Sequence, residues 1–186
     1  MIDPYATKVL NKEQHGRLVA NLDNFALDAG IQKQWIWTPL PDAIGPDERT
    51  YLLKLRYHAK YGTRAGMCYT GDSDGVDDRF FALTGLLVRN FIRARYVTLA
   101  EVLSAIPDGS LAEYTCLLIP NFFLADYTTV SKKEATMLYD FLLDRKASGK
   151  QTILFIDDLN AFGGAFGMPM SSFVTSNYEV FELEEA

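Results

Sequence analysis

Short apolar runs alternate with helix-like segments along most of this sequence of 186 residues. Strands separated by helices are typical of βαβ units, and apolar runs of this kind are typical of strands that are covered on both faces. The predicted strands are residues 65–70, 95–97, 116–119, 151–156 and 178–183, and the third is expected to end at Pro120. The pattern therefore predicts an α/β fold with a mostly parallel sheet flanked by helices.

Helix signals lie between these strands. Gly30 and Gly62 are placed to end the first two helices, the first of which carries Phe25 on its inner face. Capping boxes at Thr98 and Ser131 open two later helices. The predicted helices are residues 6–29, 47–61, 78–94, 98–106 and 132–147. Residues 35–37, which are closed off by two prolines, are predicted to be extended.

Composition favours a single globular unit. At 48% apolar residues, the chain is long enough to bury a sizeable core. We expect residues 1–45 to form an N-terminal helix and aromatic lead-in, and residues 46–186 to form an α/β core. No apolar run reaches the length of about 18 residues that a membrane span needs, and no signal peptide is recognisable. Cys68 and Cys116 lack metal or redox spacing. We therefore expect a cytoplasmic protein without a membrane contact.

The sequence Gly-Asp-Ser-Asp-Gly-Val-Asp-Asp starts at Gly71, where a phosphate loop would follow the first strand. A working loop reads G-x-x-x-x-G-K-[ST], and it offers backbone amides, a lysine and a magnesium-binding hydroxyl. Here Val76 replaces the second glycine, Asp77 the lysine and Asp78 the hydroxyl residue. Like charges would repel a triphosphate, so the loop predicts that ATP hydrolysis has been lost.

The same loop allows a second interpretation, which is a divalent cation site. The candidate ligands are Asp72, Asp74 and Asp77. Hard cations prefer clustered oxygens, and Gly75 is placed as the turn glycine of a calcium loop. That alignment puts Thr70 and Phe81 at the first and twelfth positions, where acidic ligands belong. A purely structural interpretation is simpler, since acids in the first turn stabilise a helix. We therefore expect no metal.

A basic stretch without acids runs from Arg49 to Arg64, although the net charge of the chain is −6. The net charge argues against a protein that binds nucleic acid with its whole surface, but this stretch keeps a local nucleic-acid contact open. Tryptophans are common anchors of protein interfaces. The candidate residues for contact with a protein partner are Trp35, Trp37, Arg49, Lys54, Arg56 and Lys60.

The order of these segments, over about residues 20–183, resembles the AAA+ helicase loaders of the DnaC type and the related IstB-like ATPases. Residues 117–119 are similar to the strand that carries the Walker B acids, and residues 151–154 resemble the sensor 1 strand. The resemblance implies a P-loop NTPase (AAA+)-like core of three layers. It also implies a role in DNA replication or in mobile elements such as phages, plasmids and transposons.

Each position that should carry the chemistry of that family departs from its pattern. Pro120 and Asn121 stand where the Walker B acids belong, and Asp157 and Asp158 stand at the sensor position. Residues 171–172 are serines where the family often places an arginine that acts on a neighbouring subunit. Residues 152–158 also match a Walker B strand formally, but the loop lacks the lysine and the hydroxyl residue that would bind a nucleotide together with the metal. We expect a pseudo-ATPase without a cofactor, and residual nucleotide binding stays open.

The leading hypothesis is a non-hydrolysing scaffold or adaptor that acts through protein contacts. The resemblance implies a partner of the replicative helicase, loader or transposase class. Two alternatives stay open. One is a small α/β domain that binds a cation or a small ligand through residues 72–78, and the other is an accessory protein that binds single-stranded DNA through residues 49–64.

Overall fold

The computed structural model describes residues 3–184, which form a five-stranded parallel sheet. The strands are β1 (Gly66–Gly71), β2 (Ala94–Tyr96), β3 (Cys116–Phe123), β4 (Gln151–Ile156) and β5 (Tyr178–Leu183). Their spatial order is β2-β3-β4-β1-β5, so every connection between sequential strands passes through helix. The predicted α/β class with a parallel sheet is confirmed.

Ten α-helices surround the sheet in the described part of the chain. They are α1 (Lys12–Ala20), α2 (Leu22–Ala29), α3 (Gln34–Trp37), α4 (Pro46–Leu53), α5 (Leu55–Tyr61), α6 (Val76–Arg89), α7 (Leu99–Ala105), α8 (Lys132–Ala147), α9 (Leu159–Phe166) and α10 (Met168–Asn177), with a 3-10 turn at Ile106–Asp108. None of the helices within residues 3–184 combines the length and apolar character of a membrane span.

The core has two apolar layers, one on each face of the sheet. Alternate residues of a strand point to opposite faces. Leu117 and Ile119 of β3 accordingly pack with α7 to α10, while Cys116 and Leu118 pack with α4 to α6. Helix, sheet and helix thus form three layers, as predicted. A third cluster joins α1, α2 and α3 to Val88 of α6.

The N-terminal lead-in differs from its prediction in three details. Residues 6–29 form two helices rather than one, because the helical backbone is interrupted at Asn21. Phe25 is exposed instead of facing inward. The stretch around Trp35 is a four-residue helix, not an extended segment. It lies directly on α6, since a Cβ on Gly85 would stand 2.1 Å from the carbonyl oxygen of Trp35.

Three further boundaries were predicted wrongly. The helix predicted for residues 78–94 is α6, which ends at Arg89. The expected helix 47–61 is divided into α4 and α5 by Lys54, whose ψ of 3° lies outside the helical range. Strand β3 does not stop at Pro120 but continues to Phe123, and its register with β4 shifts between Ile119 and Phe123. Proline cannot donate a hydrogen bond to a neighbouring strand, so a strand tolerates proline where its pairing is irregular, as it is here.

Candidate functional site

An acidic cavity lies at the carboxyl end of β1, where ligands of open α/β sheets bind. Its volume is about 660 Å³, and it lies between α4, the loop that follows β1, the start of α6 and the end of β5. The carboxylates that line it belong to Glu48, Asp72, Asp74, Asp78, Glu182 and Glu184. Among the described lining residues, Arg79 is the only base. The cavity is therefore suited to repel anions.

The loop between β1 and α6 turns its amides towards the protein itself. Gly71, with a φ of 100°, donates its N–H to the carbonyl oxygen of Asp157 at 3.0 Å. The next amide, that of Asp72, donates to the carbonyl of Leu183 at 3.1 Å. Asp74 donates its amide to the side chain of Asp72, also at 3.1 Å. A phosphate loop presents its amides to the ligand, whereas these three amides donate to acceptors within the protein.

Asp77 and Asp78 lie in the first turn of α6, after Gly75 caps the helix with a φ of 71°. Asp77 accepts a hydrogen bond of 2.8 Å from the hydroxyl of Tyr96. Burial, together with this bond, raises the pKa of Tyr96, so the tyrosine stays a neutral donor. The carboxylate at the lysine position thus has a partner within the protein, and both acids stabilise the positive end of the helix.

A buried ion pair forms one wall of the cavity. Arg79 Nη1 lies 2.6 Å from Glu48 Oε1, and the two side chains are only 14% and 10% exposed. The hydroxyl of Tyr69 donates to the same carboxylate oxygen at 2.8 Å, while Oε2 accepts from the amide of Gly45 at 2.7 Å. Burial, followed by the neighbouring Glu48, raises the pKa of Tyr69 far above its ordinary value.

Sequence reasoning missed this network. The sequence Gly-Pro-Asp-Glu from Gly45 gave a partial signal, because Glu48 occupies the third helical position, where an acid accepts from the amide of the N-cap residue. Arg79 directly follows the two aspartates of the loop, and its ion pair with Glu48 was not predicted from the sequence. Arg79 and Glu48 are 31 residues apart, so no local pattern joins them.

The predicted cation ligands are not assembled into a metal site. Asp72 accepts from the amide of Asp74, and Asp77 accepts from Tyr96. Within residues 3–184 no group of three His, Cys, Asp or Glu side chains is arranged to hold a metal ion. The structure thus gives the cation interpretation no support.

The two positions that correspond to the Walker B acids have structural roles. Pro120 lies buried within β3. The side-chain oxygen of Asn121 accepts a hydrogen bond of 2.9 Å from the amide of Leu99, at the start of α7. Neither residue offers the anionic group that would hold Mg²⁺ or orient a water molecule.

The two aspartates after β4 also bind backbone amides. Both oxygens of Asp157 accept from the amide of Ala125, at 3.0 and 2.8 Å. Asp158 caps α9 by accepting from the amides of Asn160 and Ala161 at 2.7 and 2.9 Å. A Mg²⁺–nucleotide complex therefore does not fit the residues at this site, since Asp77 and Asp78 stand where a phosphate loop has its lysine and its hydroxyl residue.

The predicted partner-contact residues differ in accessibility. Trp37 is only 8% exposed, so the prediction of a surface anchor is wrong for this residue. Trp35 is half-buried and stacks on Phe81, with ring centroids 5.6 Å apart. The exposed bases are Arg49, Lys54, Arg56 and Lys60. None of the four has a carboxylate of residues 3–184 within 4.0 Å. This surface therefore carries uncompensated positive charge.

Comparison with known proteins reveals the fold. No model of a protein family and no curated protein matches the sequence. Solved structures do match. The AMPPCP-bound DnaA from Aquifex aeolicus aligns with a TM-score of 0.57 at 12% identity, over 81% of this chain and 49% of that one. Domain III of DnaA from Thermotoga maritima gives 0.53 at 19% identity, over 79% and 69%. The DnaC helicase loader gives 0.52 at 12% identity, over 75% and 92%.

The chain has a DnaA/DnaC-like AAA+ fold. The expected P-loop NTPase architecture is thereby confirmed. The chain spans about half the length of the Aquifex aeolicus DnaA structure and nearly all of the DnaC structure. The likeness to IstB-like ATPases and the loss of ATPase activity stay predictions.

Proposed function

We propose that this chain is a non-hydrolysing AAA+-like adaptor that acts through protein contacts in DNA replication or in mobile-element biology. The fold supports the setting, because the structures that it resembles are described as a replication initiator and a helicase loader. The partner is a protein of the replicative helicase, loader or transposase class. Nucleotide hydrolysis plays no part in this role.

The acidic cavity is the observation on which the non-hydrolysing role rests. Six acidic residues line the cavity with one arginine, and that arginine is paired with one of the six, Glu48, so five carboxylates have no base in the cavity. Two unit charges 4 Å apart interact by about 4 kcal/mol at the effective dielectric constant of a protein surface. Several such repulsions exceed what the amides of a helix N-terminus offer an anion. A triphosphate is therefore excluded by charge, even though the cavity has room for a ligand.

Calorimetry with ATP and Mg²⁺ tests this exclusion. We expect no measurable heat of binding up to about 1 mM nucleotide, which corresponds to an affinity weaker than about −4 kcal/mol. A matched variant restores the loop with V76G, D77K and D78T, and a gain in affinity there would assign the exclusion to these positions. Binding of ATP by the unmodified protein at micromolar concentration would refute the proposal.

The protein partner is tested by affinity capture from the native host, followed by binding of the purified candidate. We expect a replicative helicase, a loader or a transposase to associate directly with the chain without added nucleotide. Recovery of metabolic enzymes alone would contradict the adaptor role.

Single-stranded DNA binding is a second candidate, favoured by the aromatic surface of α5. Tyr57 and Tyr61 are 55% and 59% exposed, and their ring centroids lie 4.7 Å apart. Lys60 Nζ lies 5.1 Å from the centre of the Tyr61 ring. Bases stack on such rings while lysines contact phosphates. The Y57A/Y61A variant should then lose affinity for oligothymidylate, whereas Y127A, at another exposed tyrosine, should not. Affinity that does not fall with salt would exclude this candidate.

A further inference from the structure

An apolar groove with a basic rim is lined by residues of α4 other than the one that lines the acidic cavity. Its volume is about 440 Å³. The floor consists of aliphatic side chains from α4, the second half of α6 and the segment that follows it. These are Leu52, Leu86, Leu87 and Ile92, and the guanidinium groups of Arg49 and Arg56 lie at the rim. The groove is separate from the cavity that corresponds to the nucleotide site.

One residue of this groove is unusually exposed for its type. Leu53 also lines the groove, and 89% of its surface is accessible. Leu53 precedes Lys54, the residue between the end of α4 and the start of α5. An exposed aliphatic side chain is therefore followed directly by a basic one. Exposed apolar side chains at the edge of an apolar groove, rimmed by polar residues, are typical of surfaces that bind proteins.

The charge of the rim specifies the partner's chemistry. Arg49 and Arg56 have no carboxylate of residues 3–184 within 4.0 Å, although the chain as a whole carries a charge of −6. Arg49 donates Nε to the carbonyl of Ile44, and Arg56 donates Nη2 to the carbonyl of Asn90. These bonds hold the two guanidinium groups in place without neutralising them. A partner with carboxylates would supply the missing counter-charges.

We propose that this groove binds an acidic amphipathic segment of the protein partner, with aliphatic side chains on the groove floor and carboxylates on the basic rim. The inference rests on the proposed adaptor function and specifies the contact. An amphipathic helix that lays its apolar face in a groove is a common mode of recognition. The eight residues of α4 extend for about 12 Å, which corresponds to about two turns of a bound helix. Nucleic acid fits less well, because stacking needs aromatic rings and the floor is aliphatic.

The experiment uses the full chain and a synthetic peptide of about 15 residues, in which leucines recur at helical spacing and the remaining positions are mostly glutamate. Fluorescence anisotropy measures binding of this peptide, of the same peptide with lysine for glutamate, and of an oligothymidylate. We expect the acidic peptide to bind at least about tenfold more tightly than the lysine peptide, with affinity that falls as salt is added.

Two variants locate the contact, and each has a matched control. L53E should weaken binding of the acidic peptide at least about tenfold, while L27E, at a leucine of α2 that is 79% exposed, should leave it unchanged. R49E should weaken it similarly, and R17E, at an exposed arginine of α1, should not. Arg49 donates to the carbonyls of Ile44 and Pro41, so urea unfolding of R49E checks that its loss of binding does not come from a loss of stability. Circular dichroism confirms that each variant is folded.

Three outcomes overturn the inference. They are failure of the acidic peptide to bind, equal binding of both peptides, and binding that survives L53E and R49E. Tighter binding of oligothymidylate, lost in both variants, would assign the groove to nucleic acid instead. If L53E still captures the helicase, loader or transposase partner, the adaptor function stands and the groove is not its contact. If the chain binds nucleotide, the adaptor function fails independently of the peptide result.

Discussion

At the scale of single residues, the aspartates predicted to replace nucleotide-binding residues make hydrogen bonds within the protein. Asp77 holds Tyr96, Asp157 holds the chain after β3, and Asp158 caps α9. Asp157 is half-buried and needs donors, which the amides of Ala125 and Asp158 supply, while the exposed Asp77 and Asp158 lie at the starts of helices, where they accept from Tyr96 and from the first amides of α9. The acids are therefore better explained as parts of the fold than as unused catalytic groups.

The Glu48–Arg79 pair leads to the first prediction. R79M should lower the free energy of unfolding by about 3 kcal/mol, because Glu48 would stay buried with only Tyr69 and Gly45 as donors. The double variant E48L/R79M should recover part of this loss, since it removes both charges. Urea unfolding at neutral pH measures all three proteins.

A surface pair provides the control for this prediction. Lys33 and Asp23 also lie 2.8 Å apart, but their side chains are 54% and 84% exposed. K33M should therefore change stability by less than about 1 kcal/mol. If R79M costs no more than K33M, the buried pair does not stabilise the fold and the prediction is wrong.

At the scale of elements, the sequence was most informative where the local pattern decides the structure. Strands β4 and β5 agree residue for residue with the prediction. The apolar run of β4 is followed directly by Asp157, and β5 begins and ends with an apolar residue, Tyr178 and Leu183. The capping box at Ser131 likewise fixed the start of α8.

Tertiary contacts decided the features that the sequence did not reveal. Helix α3 has only four residues, too few for a periodic pattern, and it forms against Gly85 of α6. β3 passes through Pro120 because its pairing with β4 is irregular there. The groove was only partly predictable, since Arg49 and Arg56 could be read from the sequence, but their aliphatic floor includes Leu86 and Leu87 of α6, which lie 30 to 38 residues further along the chain.

The lead-in is attached to the core by an ion pair that leads to the second prediction. Arg93 donates Nε and Nη2 to the two carboxylate oxygens of Asp28, both at 3.2 Å, and the hydroxyl of Tyr114 donates to Oδ1 at 2.8 Å. Burial alone would raise the pKa of Asp28, but these hydrogen bonds and the charges of Arg93 and Arg95 lower it. D28N should reduce stability at pH 7 by about 0.5 to 1 kcal/mol, since the carboxylate is partly exposed.

The pH dependence of this effect has a defined sign. A carboxyl group whose pKa is lowered by folding stabilises the protein above its unfolded pKa of about 4, and this contribution is lost as the pH falls through the folded value. The difference between D28N and the unmodified protein should thus shrink as the pH falls below about 4. Denaturant unfolding across this range measures it, with D23N as a control on the same helix. A difference that persists in acid would contradict the assignment.

At the scale of the whole molecule, the lead-in and the core are packed as one unit. Arg89 of α6 is buried and donates Nη1 to the carbonyls of Ile36 and Thr38, at 3.3 and 2.9 Å. The ring nitrogen Nε2 of His15 lies 3.0 Å from the carbonyl oxygen of Arg89. Burial lowers the pKa of Arg89 to about 10, still well above neutral pH, so the guanidinium stays charged and needs these carbonyls.

Cooperative unfolding of the two parts is the last prediction. Both tryptophans of the chain, Trp35 and Trp37, belong to the lead-in, so their fluorescence reports on that part and on its contact with Phe81 of α6. Far-ultraviolet circular dichroism reports on the helices and strands of the whole molecule. Because α3 lies on α6 at Gly85, we expect the two urea transitions to coincide, as in two-state unfolding. The G85A variant forces a Cβ against the carbonyl of Trp35 and should move both transitions together to lower urea. A fluorescence transition that precedes the circular dichroism transition would instead make the lead-in a separately unfolding element.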